Sequence, residues 1–558
     1  MFELPPAHTG FLLCPERVFR GEQSREECKQ QLERLVMLLL IFRTRTATRC
    51  ATVQTSGRSL RINIIMKTVC SSRVNKTLRR GSRVPVAILA AMLVGGLAAC
   101  MSNPTTGERQ FNLMSMDQEI QMGRESDGQI SQTMGLYADE ALQTYVSNIG
   151  LAMGAASEWP DLPWTFRVID DDAVNAFALP GGYIYVTRGI LAHFNSEAQL
   201  AGVLGHEIGH VTARHASTRI SRMQMTQLGV GLAMVIEPEL QKIAPLAGAG
   251  MQLLFLSYSR SDENESDELG VRYMTEMGYD PEALIGVMET LRRVSAAGGG
   301  GRLPEWQATH PHPENRQENI REHIGKLEPQ QYRSDGRDDY LDRIDGMVYG
   351  ADPREGYSRD GVFYHPVLRF SLHFPEDWTV INQKQAVILV SQERDASIQL
   401  SISGESSIDA AAQNLYSNEQ VSGAGVTPTR INGLPAATGA FSAQTEQGQI
   451  DGSVAFIEHD NRVYQLMGYS DANSWGVHQE TVSSSLRSFA ALTDREATDV
   501  EPTRLDVIRV ERTASLSQIY ETFYRGETPP VPVEQIALIN QLTPESQVSA
   551  GTRLKMVR

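Results

Sequence analysis

The amino-acid sequence predicts an α+β multidomain fold, in which a mainly helical domain with a small sheet precedes an α+β domain and a small αβ module. A chain of 558 residues is too long for one hydrophobic core and suggests about three domains. The pattern over residues 117–327 is mostly helical, whereas residues 361–489 alternate in the manner of strands. From residue 505 onward the predicted order is strand, helix, helix, strand.

The helical domain contains one extended stretch, TFRVIDDDAVNAFALPGGYIYVTRGIL, which predicts the small sheet. The β-rich residues 183–186 follow a Pro-Gly-Gly turn. A helix is predicted to begin next, near Ser196, because Asn195 or Ser196 can cap it and Glu197 follows.

The predicted domain boundaries follow changes in composition. Residues 100–329 form the helical domain, and residues 330–360, rich in Asp, Arg and Gly, are expected to be a linker. The α+β domain then covers residues 361–495 and the final module residues 504–558.

Charge and cysteine content are unevenly distributed along the chain. Residues 1–99 contain 16 Lys and Arg against 6 Asp and Glu, whereas residues 100–558 contain 35 against 61. Such an acidic body argues against nucleic acid as a partner. All five cysteines lie within the first 100 residues, so the remainder must fold without internal disulfides.

Residues 66–99 have the layout of a secretory signal, with basic residues before the apolar run VPVAILAAMLVGGLAA. The ending LAAC resembles the bacterial lipobox, which implies lipidation of Cys100 and attachment to a membrane on the periplasmic side. In bacterial lipoproteins an aspartate after this cysteine usually retains the protein at the inner membrane. Met101 occupies that position here, so the resemblance implies the outer membrane. An uncleaved transmembrane anchor is the alternative, but the apolar run is shorter than the roughly 20 residues that span a bilayer. Residues 1–65 are expected to be a non-native or disordered extension.

The sequence LAGVLGHEIGHVTARH carries the candidate metal site. Positions i and i+4 share one face of a helix, so His206 and His210 can bind a single zinc ion with Glu207 beside them. Chance histidines on a surface helix are the alternative, but the flanking residues are apolar. Burial of two histidines and a glutamate without a compensating ligand would be costly. The motif therefore predicts a zinc-dependent hydrolase.

A catalytic zinc site needs a third protein ligand and an open position for water. Ala213 and Ala216 occupy the positions where a metzincin has glycine and histidine, so that class is excluded. The acidic run SYSRSDENESDELG offers several carboxylates. Glu263 and Asp267 are four residues apart, so one could bind the metal while the other orients a histidine. Glu265 and Glu268 are expected to point elsewhere.

Three segments together, HEIGHVTARH, NAFALPGG and SRSDENESD, resemble the HtpX/BepA-type zinc metallopeptidases. Over residues 105–325 the resemblance implies a zincin-type (gluzincin) protease domain that acts as an endopeptidase. It implies that Glu263 is the third zinc ligand and Asp267 its supporting partner, with Ser266 where alanine is usual. It also implies quality control of misfolded or stalled envelope polypeptides as the function. The BepA-like proteins carry helical repeats after this region, and this chain shows no 34-residue periodicity there.

The resemblance extends to residues around the predicted cleft. It implies that the strand containing Asn175, Ala176 and Phe177 lies at the cleft edge, where a substrate can add as a further strand. His310, in THPHPENR, corresponds to a histidine that can act as a fourth zinc ligand and hold the enzyme latent. A structural histidine in a loop is the alternative. His312 is expected to be structural, as is His215, which should fall on the opposite helical face.

Residues 504–558 resemble a LysM module, which implies binding of peptidoglycan or, in a degenerate copy, a packing role only. Two further functions therefore stand beside the quality-control peptidase. One is a peptidoglycan-associated lipoprotein with a chaperone or binding role, and the other is cleavage of peptidoglycan peptides. The intact Glu207 favours a peptidase over a protein that only binds.

Overall fold

A computed structural model describes residues 100–107, 109–224, 257–297, 306, 309–310, 315–445 and 448–558. It divides into two compact units, Met1–Asn112 and Leu113–Arg558. In the first unit, strands β1 (Cys100–Ser102) and β2 (Arg109–Phe111) pair in antiparallel fashion. The extension predicted over residues 1–65 and the signal predicted over residues 66–99 lie outside the described residues. Across the described part of the chain, no helix combines the length and the apolar character needed to cross a bilayer.

The second unit begins with a helical region that contains a three-stranded sheet. Several of its helices begin at polar caps: Ser115, Asp139 and Ser259 each accept a hydrogen bond from the backbone N–H three residues later. The combination of helices and one small sheet confirms the predicted character of this region. Its elements are α1 (Met116–Thr133), α2 (Glu140–Ala156), β3 (Thr165–Ile169), β4 (Ala176–Leu179), β5 (Tyr183–Thr187), α3 (Arg188–His193), α4 (Glu197–Thr212), α5 (Arg260–Glu276), α6 (Glu282–Ala297), α7 (Arg316–Ile324) and α8 (Arg337–Ile344).

Strand β5 lies in the centre of the small sheet, parallel to β3 and antiparallel to β4. Gly181 and Gly182, in the turn between β4 and β5, have φ angles of +82° and +98°, which other residues rarely adopt. A Cβ atom on Gly181 would also lie 2.6 Å from the Cα of Ile120. The turn therefore requires glycine, and the predicted extended stretch is confirmed.

Helix α4 lies inside the hydrophobic core of this region. Ser196 caps its first turn by accepting a hydrogen bond from the backbone N–H of Gln199, as predicted. Residues 198–212 are all buried, in a core that α4 shares with α2, α5 and α6. The charged and polar side chains of α4 are therefore removed from water.

Helices α4 and α5 approach each other closely because small residues line their contact. A Cβ atom on Gly205 would lie 3.3 Å from the Cα of Gly270, and one on Gly209 would lie 3.1 Å from the Cα of Ser266. These distances are shorter than ordinary van der Waals contact, so larger side chains would force the helices apart. Close packing of the two helices therefore explains why a small residue, Ser266, occupies this position.

The prediction of a linker over residues 330–360 is wrong for the middle of that range, which forms α8. In this helix Tyr340, Leu341 and Ile344 are completely buried. The Tyr340 hydroxyl donates a 2.6 Å hydrogen bond to the carbonyl oxygen of Leu191 in α3. Three apolar residues on one face suffice to dock a short helix. The surrounding Asp and Arg residues, which gave the segment its linker-like composition, lie on the other faces.

An α+β region follows α8 and confirms the predicted class. Its larger sheet has the strand order β12-β14-β15-β16-β11-β10-β9, with β13 also paired to β14, and its smaller sheet has the order β17-β8-β7-β6. All the strand pairs of both sheets are antiparallel. The elements are β6 (Tyr357–Arg359), β7 (Val362–His365), β8 (Phe370–His373), β9 (Thr379–Asn382), β10 (Ala386–Val390), β11 (Ala396–Ser403), α9 (Ile408–Tyr416), β12 (Val421–Ser422), β13 (Val426–Ile431), β14 (Leu434–Thr445), β15 (Gly448–His459), β16 (Arg462–Asp471), α10 (Trp475–Arg487), β17 (Ala490–Ala491) and α11 (Arg495–Thr498).

The C-terminal module has the predicted order of strand, helix, helix, strand, with two short strands added. Its outer strands β18 and β21 pair in antiparallel fashion, as do the short strands β19 and β20. The elements are β18 (Leu505–Arg509), β19 (Ala514–Ser515), α12 (Leu516–Phe523), α13 (Val533–Ile539), β20 (Gln547–Val548) and β21 (Arg553–Val557).

The C-terminal module shares one hydrophobic core with the helical region. Lys555 of β21 is completely buried, and its Nζ donates hydrogen bonds of 2.7 and 2.6 Å to the carbonyl oxygens of Ala192 and Phe194. Burial lowers the pKa of the Lys555 amine well below its usual value. The Asn195 side chain donates to the carbonyl oxygen of Ile539 at 3.1 Å. These contacts hold the segment that leads into α4.

Candidate metal centre

His206, His210, Glu263 and His310 meet in the interior of the helical region. One nitrogen or oxygen atom from each side chain lies within 4.8 Å of all the others. The Nε2 atoms of His206 and His210 are 3.1 Å apart. The Glu263 carboxylate lies 3.6 Å from the first of these atoms and 3.5 Å from the second. None of the four residues is more than 1% exposed.

The geometry of α4 and α5 explains why these side chains meet. His206 and His210 lie one turn apart on α4, and Glu263 lies in the first turn of α5. The close packing of the two helices brings the Glu263 carboxylate beside both imidazoles. Glu207 lies on the same helix as the histidines and is completely buried.

His310 is held in the cluster by aromatic stacking and by its backbone. The His310 ring stacks on Trp306 with the centroids 4.1 Å apart. The backbone N–H of His310 donates a hydrogen bond to the Trp306 carbonyl oxygen at 2.7 Å. Its Nδ1 lies 2.9 Å from Oε1 of Glu263, and its Nε2 lies 3.6 Å from Oε1 of Glu207. The structure therefore brings His310 to the three residues of the predicted zinc site.

Asp267 and Arg316 lie directly behind the cluster. Oδ1 of Asp267 is 2.9 Å from Nδ1 of His206, which leaves Nε2 of that ring directed at the cluster. Arg316 donates to both carboxylate oxygens of Asp267, at 2.7 and 2.6 Å. Sequence reasoning assigned no role to Arg316, although the arginine of THPHPENR was a visible signal.

The prediction that His215 falls on the opposite helical face is wrong. Helix α4 ends at Thr212, and Arg214 has a φ of +58°, so the chain turns before residues 215–224 become helical again. His215 Nδ1 lies 3.0 Å from Nδ1 of His210, and its Nε2 lies 2.9 Å from Glu265. Burial lowers the pKa of His210 well below its usual value, so this ring stays neutral. His312 lies outside the described residues.

Burial and nearby charges move the pKa values of the three carboxyl groups in different directions. Burial raises the pKa of Glu207. Burial also opposes ionisation of Glu263, but the positive charges of His310 and Arg316 hold its pKa well below the usual value. For Asp267 the Arg316 guanidinium likewise outweighs burial and lowers the pKa. Two of the three carboxyl groups are therefore held in the ionised form.

Several atoms in the cluster indicate that it is built for a further ligand. Both carboxylate oxygens of Glu207 and Nε2 of His310 are buried and make no hydrogen bond. Each such atom costs about 1–3 kcal/mol of stability if it stays unsatisfied. Imidazole nitrogens and carboxylate oxygens are the donors that zinc prefers in catalytic sites. The residues present therefore fit a zinc ion.

The predicted substrate residues lie on and just before strand β4, and all three are buried. Ala176 and Phe177 pair with β5, and the Phe177 ring stacks on Tyr185. The backbone N–H and carbonyl oxygen of Asn175 both form hydrogen bonds with the Thr187 hydroxyl. A small cavity beside His210 is lined instead by the residues that follow, among them Ala178, Leu179 and Pro180. The strand therefore reaches the site through its C-terminal end.

The amino-acid sequence around this site matches a known peptidase family and several known proteins. Residues 140–324 match the family model of Peptidase family M48. The chain is 30% identical over 268 residues to the beta-barrel assembly-enhancing protease of Escherichia coli, covering 46% of this chain and 54% of that protein. It is 31% identical over 259 residues to the mitochondrial metalloendopeptidase OMA1 of Schizosaccharomyces pombe, covering 44% of this chain and 74% of that protein. These matches confirm the predicted resemblance.

The chain spans about half the length of the beta-barrel assembly-enhancing proteases that it matches. Among solved structures, cyanobacterial PsbP from Synechocystis is 10% identical with a TM-score of 0.21, covering 23% of this chain and 91% of its own. LpqN from Mycobacterium tuberculosis is 12% identical with a TM-score of 0.19, covering 22% of this chain and 83% of its own. Scores at this level carry no argument about fold or function.

The donor set predicts how the metal content will respond to substitution. We expect the purified protein to hold one zinc ion per chain and Glu263→Gln to lose most of it, because an amide is a much poorer zinc ligand than a carboxylate. Mass spectrometry of the metal after dialysis measures both. Glu268→Gln, on the same helix but half-exposed, is the matched control and should keep its zinc. Unchanged zinc in Glu263→Gln would move the ligand role to another carboxylate.

Proposed function

The chain belongs to Peptidase family M48, and we propose that it is a zinc-dependent endopeptidase that hydrolyses misfolded or stalled proteins of the bacterial cell envelope. The observation that carries the proposal is the buried cluster of His206, His210 and Glu263, with Glu207 beside it. A protein that only binds or chaperones would have no use for an unsatisfied carboxylate at this position, because burying it lowers stability.

The proposed zinc ligands are His206, His210 and Glu263, and Asp267 orients the first of them. A zinc ion in this site supplies a Lewis acid, which makes water acidic enough to ionise near neutral pH and polarises a peptide carbonyl. The position of the Asp267 carboxylate 2.9 Å from Nδ1 of His206 supports its orienting role. The neutral state of His210 supports a ligand role, since only the neutral ring binds a metal.

Glu207 is the proposed catalytic acid and base. It takes a proton from the water molecule that attacks the carbonyl carbon, and it then delivers that proton to the leaving amine nitrogen. Two features support this role. Neither oxygen of its carboxylate is engaged in a hydrogen bond, and burial raises its pKa toward the range in which a group can both accept and release a proton.

An extended polypeptide is the proposed form of the substrate. Strand β4 has β5 as its only neighbour among the described strands, so its other edge offers backbone groups to an added strand. Asn175, Ala176 and Phe177 would contact the substrate through this backbone once the edge is uncovered, because none of the three is more than 7% exposed. Backbone pairing does not depend on sequence, which suits a peptidase that accepts many unfolded proteins.

His310 is the proposed latency switch of the enzyme. Its Nδ1 lies 2.9 Å from the Glu263 carboxylate, and its Nε2 has no hydrogen-bond partner. Once it gives up its proton to an incoming metal, a ring in this position can provide a fourth ligand and fill the site that water needs. Displacement of His310 and Trp306, whose rings are stacked, would open the site.

We also propose that the protein faces the periplasm and is anchored through a lipid on Cys100, at the outer membrane. The sequence LAAC and the apolar run before it support this location.

For residues 504–558 we propose a packing role in place of peptidoglycan binding. The supporting observation is the core that this module shares with the helical region, together with the buried Lys555. The turn after α13 is also engaged, because Gln541 donates to the carbonyl oxygen of His193 and exchanges hydrogen bonds with Gln199. A module used as a tether would need no such contacts.

Removing the carboxylate of Glu207 tests the proposed reaction. We expect Glu207→Gln to retain its zinc and to cleave casein at least about 100-fold more slowly than the unchanged protein, because the proton acceptor is lost. Casein cleavage followed by gel electrophoresis, with and without a chelator, gives the measurement. Incubation of both proteins with peptidoglycan checks the alternative substrate. Casein cleavage at an unchanged rate by Glu207→Gln would contradict the mechanism.

Removing the imidazole of His310 tests latency. We expect His310→Ala to hold zinc and to cleave casein faster than the unchanged protein, because the fourth position becomes open to water. His323→Ala, which removes a buried histidine of α7 outside the cluster, is the matched control and should keep the basal rate. An equal basal rate in His310→Ala would refute self-inhibition and leave His310 as a structural residue.

Sedimentation with purified peptidoglycan tests the packing role of the C-terminal module. We expect the full-length protein to remain in the supernatant, as a protein without a glycan site does. A LysM protein of known glycan binding serves as the positive control. Pelleting of the full-length protein in proportion to added peptidoglycan would assign the module to glycan binding.

A further inference from the structure

Arg316 occupies an unusual place for an arginine. It is the first residue of α7 and has no exposed surface. Burial of a guanidinium costs several kcal/mol unless its charge and hydrogen bonds are compensated. The positive end of the helix dipole also disfavours a cation in the first turn of a helix. A residue kept there against both effects needs strong compensation from its surroundings.

The compensation comes from the two carboxylates of α5 that adjoin the metal cluster. Nε and Nη2 of Arg316 donate to the two oxygens of Asp267 at 2.7 and 2.6 Å, which is a bidentate pair. Nη1 lies 2.8 Å from Oε2 of Glu263. Nη2 also lies 3.4 Å from Nδ1 of His206. One planar group therefore contacts two predicted zinc ligands and the carboxylate that orients one of them.

Arg316 supplies a positive charge where two carboxylates meet. Its guanidinium lies within 2.8 Å of the carboxylates of both Glu263 and Asp267, in the same buried volume. Without Arg316, Asp267 would be a buried carboxylate with His206 as its main partner, free to rotate about its side-chain bonds.

We propose that Arg316 is a positioning residue for the metal site, which fixes the Asp267 carboxylate toward His206 and the Glu263 carboxylate toward the zinc ion. This inference rests on the metal site proposed above. The bidentate geometry is essential to it, because both oxygens of Asp267 must be held for one of them to face Nδ1 of His206. A lysine could supply the charge but not the planar pair of donors.

A purely structural ion pair between α5 and α7 is the competing explanation. That explanation predicts a loss of thermal stability when Arg316 is changed, without a specific change in metal binding. The two explanations therefore differ in the zinc affinity of a variant that still folds.

Arg316→Lys in the full-length protein is the first test, since it keeps the charge and removes the bidentate geometry. We expect zinc to bind about 10–100-fold more weakly, the range found when an outer-shell partner of a metal ligand is lost. Competition with a chromogenic chelator measures the affinity. The visible spectrum of the cobalt-loaded protein reports any change in coordination geometry independently of activity.

Arg272→Gln is the control, because Arg272 lies on α5, the helix that Arg316 contacts, and forms its ion pair with Glu158 away from the cluster. We expect its zinc affinity and cobalt spectrum to equal those of the unchanged protein. Failure of the unchanged protein to bind zinc would refute the metal site itself. Zinc binding by the unchanged protein with equal affinity in Arg316→Lys would refute only the role of Arg316.

A double-mutant cycle with Asp267→Asn shows whether Arg316 acts through Asp267. We expect the double variant to bind zinc about as weakly as the weaker of the two single variants, because residues that act as one unit are not additive. Losses in affinity that multiply would mean independent actions and would overturn the proposal. Circular dichroism of the metal-free proteins identifies variants that fold, and Arg316→Gln replaces Arg316→Lys if the latter does not.

Discussion

The packing of α4 against α5 is the contact on which the candidate site depends. The contact between the two helices leaves no room for larger side chains at Gly205 and Gly209 of α4 or at Ser266 and Gly270 of α5. The helices therefore approach closely enough for the Glu263 carboxylate to lie within 3.6 Å of the ring nitrogens of α4. A modest increase in this separation would place the donors beyond the reach of a single ion.

Close packing brings an energetic penalty, because it removes charged groups from bulk water. The structure offsets this penalty from behind the cluster: Asp267 contacts His206, Arg316 contacts Asp267, and Glu265 contacts His215. Within the cluster, both oxygens of Glu207 and Nε2 of His310 make no hydrogen bond, and a zinc ion and water would satisfy them. The groups behind the cluster thus offset the cost of burial, and the groups left without hydrogen bonds are the ones available for the reaction.

Sequence reasoning reached the parts of the site that depend on local spacing. His206 and His210 share a helical face because they are four residues apart. The helix cap at Ser196 is likewise visible in the local sequence. It could not foresee His215, because a single residue with positive φ redirects the chain after α4. It also missed Arg316, whose meaning depends on tertiary contacts with α5. The docking of α8 and of the C-terminal module likewise depends on which apolar faces meet.

We propose that two imidazoles of α4 and the Glu263 carboxylate of α5 form one zinc site. X-ray absorption spectroscopy of the zinc-loaded protein tests it most directly, because it reports the atoms bound to the metal. We expect a shell of nitrogen at about 2.0–2.1 Å and oxygen at about 2.0–2.2 Å, with two or three imidazole ligands. A shell containing sulfur, or one of oxygen atoms alone, would contradict it.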